Sequence, residues 1–296
     1  MSRGVQFLPL MTPTAETFIY SNKILDIFGE EGDSIAIQMT PIDWDGVYPY
    51  PKSRVIAYDN LIKNWTRRAL KNQASGTIFK NNVLIHDRDD QSGLSSDLYS
   101  ISTYAGDGNT ISGNDISCGL RRAIADSGVN VHTNSRNQYS NNRVRCDAGV
   151  VVYVDYGTNI SLDGFTIDSN TKEESGDLFV IGHVTNVSLT NTKVLLKTKT
   201  RYVVSAGQNS AGLVVDGLTV RDGIASRIVN APGAAPIIKE VTSIRTQVNA
   251  GCIGLSAANS DGAVVRRNQF LFSGPGPIVV NAGSGNFNSE SNLRTA

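Results

Sequence analysis

One short template recurs along most of this chain. An apolar residue is followed three places later by a small polar turn residue, and apolar residues stand two and four places beyond the turn. The turn column reads Asn81, Asn114, Asn142, Asp163, Thr190, Asp216, Glu240 and Asn268, at separations of 33, 28, 21, 27, 26, 24 and 28. Before the turn come Ile78, Ile111, Tyr139, Ile160, Val187, Leu213, Ile237 and Val265. Two after it come Val83, Ile116, Val144, Phe165, Thr192, Leu218, Thr242 and Phe270, and four after it Ile85, Cys118, Cys146, Ile167, Val194, Val220, Ile244 and Phe272. Only Thr192 and Thr242 break the apolar rule among these 24 positions, where 40% hydrophobic residues would fill about ten by chance. A unit this short cannot bury its inward face alone, so it must stack on its neighbours.

A second strand shares the period. It reads Val129 to His132, Val152 to Asp155, Val180 to His183 and Val203 to Ala206, then Ile228 to Ala231, Gly254 to Ala257 and Val279 to Ala282. Two recurrent strands at about 25 residues predict a solenoid, with strands of successive coils roughly 4.8 Å apart. A sandwich has no such repeat. Asn and Asp suit the turn column because they tolerate left-handed backbone. Only Trp65 to Lys71 has a helical-looking composition.

Segments such as Thr77-Ile-Phe-Lys-Asn-Asn-Val-Leu-Ile and Asn109-Thr-Ile-Ser-Gly-Asn-Asp-Ile-Ser resemble the pectin-lyase-like superfamily over roughly residues 54 to 290. The expected fold is all-β: a right-handed single-stranded parallel β-helix of roughly ten coils. Residues 1–53, holding five of the nine prolines, are expected to form an N-terminal cap or first irregular coils, with 54–296 as the helix. The superfamily includes pectate and alginate lyases, polygalacturonases, sugar epimerases and phage tailspikes. The resemblance therefore implies a carbohydrate-binding, polysaccharide-cleaving protein, hydrolase or lyase, and tailspike likeness implies a homotrimer. Fold alone does not choose a reaction. The rival expectation is a non-catalytic structural or adhesion component of a virion or cell surface.

Composition narrows the partners. Lys plus Arg equals Asp plus Glu at 27 each, so no global field favours nucleic acid or an anionic membrane. No stretch approaches a membrane span. The N-terminal apolar run is short and broken by Pro9 and Pro13, which argues against a signal peptide and for cytoplasmic synthesis or a virion part able to act outside the cell. No cofactor or metal is expected. Cys118 and Cys146 fall in one inward column and read as stacked buried thiols. The His86-Asp87-Arg88-Asp89-Asp90 run reads as a solvated loop.

Stacking makes distant residues neighbours, and two polar columns follow. Asp147 and Asp168 each stand five residues beyond a turn on consecutive coils. Two carboxylates that close split their pKa values and can serve as acid and base on a glycosidic bond. Arg143, Arg145, Lys193 and Arg221 would flank them and hold an acidic sugar. The other column is His132, Asp155 and His183, suited to general acid–base work. The plain alternatives are a cross-strand charge ladder for the first and a polar patch for the second. Tyr153, Tyr156, Phe179 and Tyr202 are candidates for stacking on sugar rings.

Overall fold

The computed structural model describes residues 4–8, 16–29, 32–37, 53–87, 99–104, 106–118, 122–128, 134–146, 149–170, 176–256, 261–271, 277–281 and 288–295. Every strand among them pairs in parallel, in three sheets of 12, 12 and 11 strands, and none of these residues is helical. The first sheet runs from Val5–Phe7 to Val279–Asn281, the second from Thr17–Tyr20 to Asn288–Glu290 and the third from Lys23–Ile27 to Leu293–Thr295. The chain visits them in rotation. This is the right-handed parallel β-helix that the repeat and the superfamily resemblance imply. Strands Thr17–Tyr20, Lys23–Ile27 and Asp33–Ile37 already occupy the three sheets ahead of residue 53.

Each coil carries three strands where the sequence showed two. The template spans the bend between second and third sheets: Ile111 lies in Thr110–Ser112, Ile116 and Cys118 in Asp115–Cys118. Trp65 to Lys71 is not helical but is split between the strands Leu61–Trp65 and Arg68–Asn72. The buried Trp65 and Leu70 supply core volume, so tertiary burial overrides local propensity.

That bend has two successive special positions, which the single turn column had merged. The first is left-handed, as at Asp59 (φ 53°), Asn81 (φ 54°), Gly113 (φ 64°), Asn141 (φ 53°) and Glu240 (φ 53°). The second points inward and forms an asparagine ladder through Asn22, Asn60, Asn82, Asn114 and Asn142. The Asn82 backbone N–H and Nδ2 both donate to Asn114 Oδ1 at 3.0 Å, while Nδ2 also reaches the Ala57 carbonyl at 3.0 Å. Asn114 repeats the pattern on Asn142 Oδ1, at 3.1 and 3.0 Å, and on the Phe79 carbonyl at 3.1 Å. Phe165, Thr192, Leu218 and Val241 then take the ladder's place in the next four coils, in the registers set by Arg143↔Thr166, Thr166↔Lys193, Lys193↔Thr219 and Thr219↔Thr242. The ladder resumes at Asn268, whose Nδ2 donates to Asn292 Oδ1 at 2.9 Å.

The Asn81 and Glu240 rows are therefore one residue out of step. Phe79, Leu84, Ile238 and Val241 fill the core, whereas Val83 is 39% exposed and Ile78, Ile85, Ile237 and Ile244 are half-buried on the outer face. The Asp163, Thr190 and Asp216 rows are two residues out of step, a shift that keeps inward residues inward. Phe272 lies outside the described residues. Cys118 and Cys146 are in register as expected, with Cα atoms 4.8 Å apart, but they are joined by a disulfide.

Candidate functional site

The two polar columns land on different faces. On the outer face of the third sheet the register runs Arg143, Thr166, Lys193, Thr219 and, two residues along, Arg145, Asp168, Leu195, Arg221. The four expected cations thus share one surface. The neighbour of Asp168 is Arg145, not a second carboxylate, because Asn142 aligns with Phe165 and not with Asp163. Asp147 lies outside the described residues. Asp168 is engaged by Lys197 at 2.9 Å, and Arg145 by Asp115 at 2.9 Å. This arrangement is a cross-strand charge ladder.

The second cluster forms at the corner where the first sheet turns towards the second. His132 lies outside the described residues; in that coil the strand is Arg122–Ser127, and the residue beside Asp155 is Ser127. In the next coil Val154 pairs with Ile181, so Gly182, not His183, falls beside Asp155. The slip of one residue does not separate the pair, because the corner bends His183 back over the carboxylate. Asp155 Oδ1 accepts the His183 backbone N–H at 2.8 Å, the His183 ring nitrogen Nδ1 at 3.0 Å and the Tyr156 N–H at 3.1 Å. Its Oδ2 accepts the Tyr153 hydroxyl at 2.7 Å. Burial by itself would raise the Asp155 carboxyl, but the bonds from the His183 backbone, the Tyr153 hydroxyl and the His183 ring hold it below the usual carboxylate range. Burial and the bond to Asp155 push the Tyr153 hydroxyl up, so Tyr153 stays a proton donor to the carboxylate.

An ionised carboxylate only accepts hydrogen bonds. Neutral His183 must therefore carry its hydrogen on Nδ1, which leaves Nε2 basic on a side chain that is 49% exposed. Tyr156 stacks on the ring, with centroids 4.7 Å apart and planes 4° off parallel. Above this corner the Arg122 guanidinium lies over Tyr153 at 4.5 Å and over Tyr99 at 5.7 Å, donating to the Tyr99 hydroxyl at 3.0 Å. Farther along the sheet Tyr202 lies beneath Arg201 and Arg227, at 5.1 and 5.9 Å. Phe179 is fully buried, edge-on to Phe165, and belongs to the core.

Sequence reading missed Tyr99, Gly182 and Ser210. A Cβ on Gly182 would sit 2.3 Å from Asp155 Oδ1, so only glycine lets the carboxylate tuck under the His183 peptide. A glycine immediately before a candidate histidine was the available signal. Among the described residues no three His, Cys, Asp or Glu side chains converge as metal ligands.

No family model and no curated protein matches this chain. Solved structures similar to it include the endo-xylogalacturonan hydrolase from Aspergillus tubingensis, at 13% identity and a TM-score of 0.46, covering 79% of this chain and 85% of that one. A periplasmic alginate epimerase is similar at 9% identity and a TM-score of 0.27, covering 82% of this chain and 77% of that one. At these identities no residue role passes from either protein to a position here.

Proposed function

We propose that the protein binds an extended, acidic polysaccharide across the outer face of the first sheet and cleaves it with His183 as the proton-transferring group. The observation that carries this reading is the Asp155 carboxylate, saturated by donors and fixing His183 with Nε2 outward. Such a pair can remove a proton from a sugar carbon or hydroxyl, or from an attacking water, and return it to the leaving oxygen. Arg122 and Arg227 supply positive charge along the same sheet, Arg201 being paired with Asp177, and Tyr99, Tyr153 and Tyr202 supply ring surface. A tailspike-like homotrimer carried on a virion is the setting we attach to this reading, and sedimentation of the purified chain tests it.

Incubation with a panel of acidic bacterial polysaccharides should release new reducing ends. Unsaturated ends would mark a lyase and their absence a hydrolase. Loss of one positioned acid–base group typically costs 10²–10⁴-fold. His183→Ala should therefore lower the rate by at least about 10²-fold with the fold intact, and Tyr202→Ala should weaken binding more than turnover. Cleavage that survives in His183→Ala removes this site from consideration, and binding without cleavage would leave an adhesion protein.

A further inference from the structure

The peptide linking Gly182 to His183 is gripped from both neighbouring coils. Its N–H donates to Asp155 Oδ1 at 2.8 Å. Its carbonyl accepts a hydrogen bond from the Ser210 hydroxyl, which also lies 3.3 Å from the Ile181 carbonyl. Ser210 is 2% exposed, and its backbone N–H is pinned to the Gly207 carbonyl at 3.1 Å. Gly207 in turn donates to the Ile181 carbonyl at 2.7 Å. The Ile181 carbonyl thus already has a backbone donor, whereas the Gly182 carbonyl takes Ser210.

Peptide resonance couples the two ends of that unit. A donor on the carbonyl draws electron density from the nitrogen and strengthens the N–H as a donor on the other side, and chains of such bonds reinforce one another. Ser210, the Gly182–His183 peptide and Asp155 form one head-to-tail chain of this kind across three coils, and it holds in place the carboxylate oxygen into which His183 Nδ1 also donates.

We propose that Ser210 is a positioning residue for the Asp155–His183 pair. It locks the Gly182–His183 peptide so that Asp155 keeps the imidazole hydrogen on Nδ1 and Nε2 stays the basic nitrogen. The relay is a property of the corner itself; only its use in cleavage rests on the function proposed above.

The test is the ring tautomer of His183, read from ¹⁵N chemical shifts at a pH where the ring is neutral. In the native chain the Nδ1–H form dominates. Ser210→Ala should lower the ratio of Nδ1–H to Nε2–H about fivefold, the equivalent of one net hydrogen bond, while the melting profile stays cooperative. Ser210→Thr, which keeps the hydroxyl, should restore the ratio. Where cleavage is detected, kcat should fall with the ratio while KM holds. A native ring of evenly mixed tautomers, or an unchanged ratio in folded Ser210→Ala, overturns the proposal. A shifted ratio in a chain that cleaves no polysaccharide would uphold the relay and reject the function.

Discussion

Two stretches of the same bend solve one problem in opposite ways. From Asn22 to Asn142 the bend between second and third sheets is held by amide side chains, those of Asn22, Asn60, Asn82 and Asn114 bonded to the amide of the next coil and that of Asn142 to the Ile111 carbonyl. From Phe165 to Val241 the equivalent positions hold Phe165, Thr192, Leu218 and Val241, all buried. The ladder is directional, so it fixes how coils register as well as how far apart they lie. The apolar run fills volume without naming a partner. The Asp155–His183 corner straddles the change, with Asp155 in the coil between Asn142 and Phe165 and His183 in the next.

The sharpest way to break this contrast is to put an apolar residue into the ladder. Asn114→Leu strands the Asn82 N–H and takes the amide donor from the Phe79 carbonyl, and it leaves the Asn82 amide only the Ala57 carbonyl and Asn142 Oδ1 only the backbone N–H of residue 114. Each orphaned buried group costs about 1–3 kcal/mol, so a loss of about 4 kcal/mol or more is expected in urea unfolding. Leu218→Met, a volume-conserving swap where the ladder is replaced by packed side chains, should change stability by less than about 1.5 kcal/mol. Equal losses at the two positions would erase the distinction.

The two stretches should also answer differently to pH. In the first sheet the inward register Asp126, Val154, Ile181, Ala206 passes from a carboxyl to apolar residues. Asp126 is fully buried, and its oxygens meet the amides of Asn134 and Asn137, the latter at 3.0 Å, beside the Tyr139 hydroxyl. Burial pushes its carboxyl up to about 6, against the opposing pull of those amides. The folded chain thus holds this proton more tightly than the unfolded chain, whose carboxyl has the ordinary value of 3.8. The contribution is most favourable below pH 4 and is lost as pH rises through 6, by about 3 kcal/mol in all. Stability of the native chain minus that of Asp126→Asn, followed by denaturant titration across this range, should fall with rising pH. A flat difference would contradict the assignment.

The smallest effect comes from extending the ladder by one rung. Phe165→Ala should cost about 3–5 kcal/mol through the cavity left against Phe179. Phe165→Asn loses the same ring but offers Asn142 an amide acceptor, so it should be about 1 kcal/mol less costly than the alanine. An asparagine no better than alanine would show that the bend in this stretch cannot accept the ladder.

The sequence made the repeat legible because burial is periodic and stacking returns every coil to the same inward positions. It placed Ile111, Asn114, Ile116 and Cys118 above Tyr139, Asn142, Val144 and Cys146 correctly, since alternation there is clean. It failed where apolar residues run together, as in Ile78-Phe79 and Val83-Leu84-Ile85, where pattern alone cannot choose the inward member. The site was half legible. Asp155 and His183 were found by column, one residue out of register, and His183 closed onto Asp155 through a corner that only the backbone path reveals. Beside Asp168 the register sets Arg145, because the equivalent of Asn142 in the next coil is Phe165, two residues beyond the Asp163 that the template picked out.

By itself, then, the sequence determined that the chain coils in parallel, because only stacking can bury so regular an apolar series. Which side chains meet at a corner was decided by the tertiary structure. A shift of one residue in a bend leaves composition and period untouched, yet turns a side chain from the core to the solvent or swings a histidine onto a carboxylate.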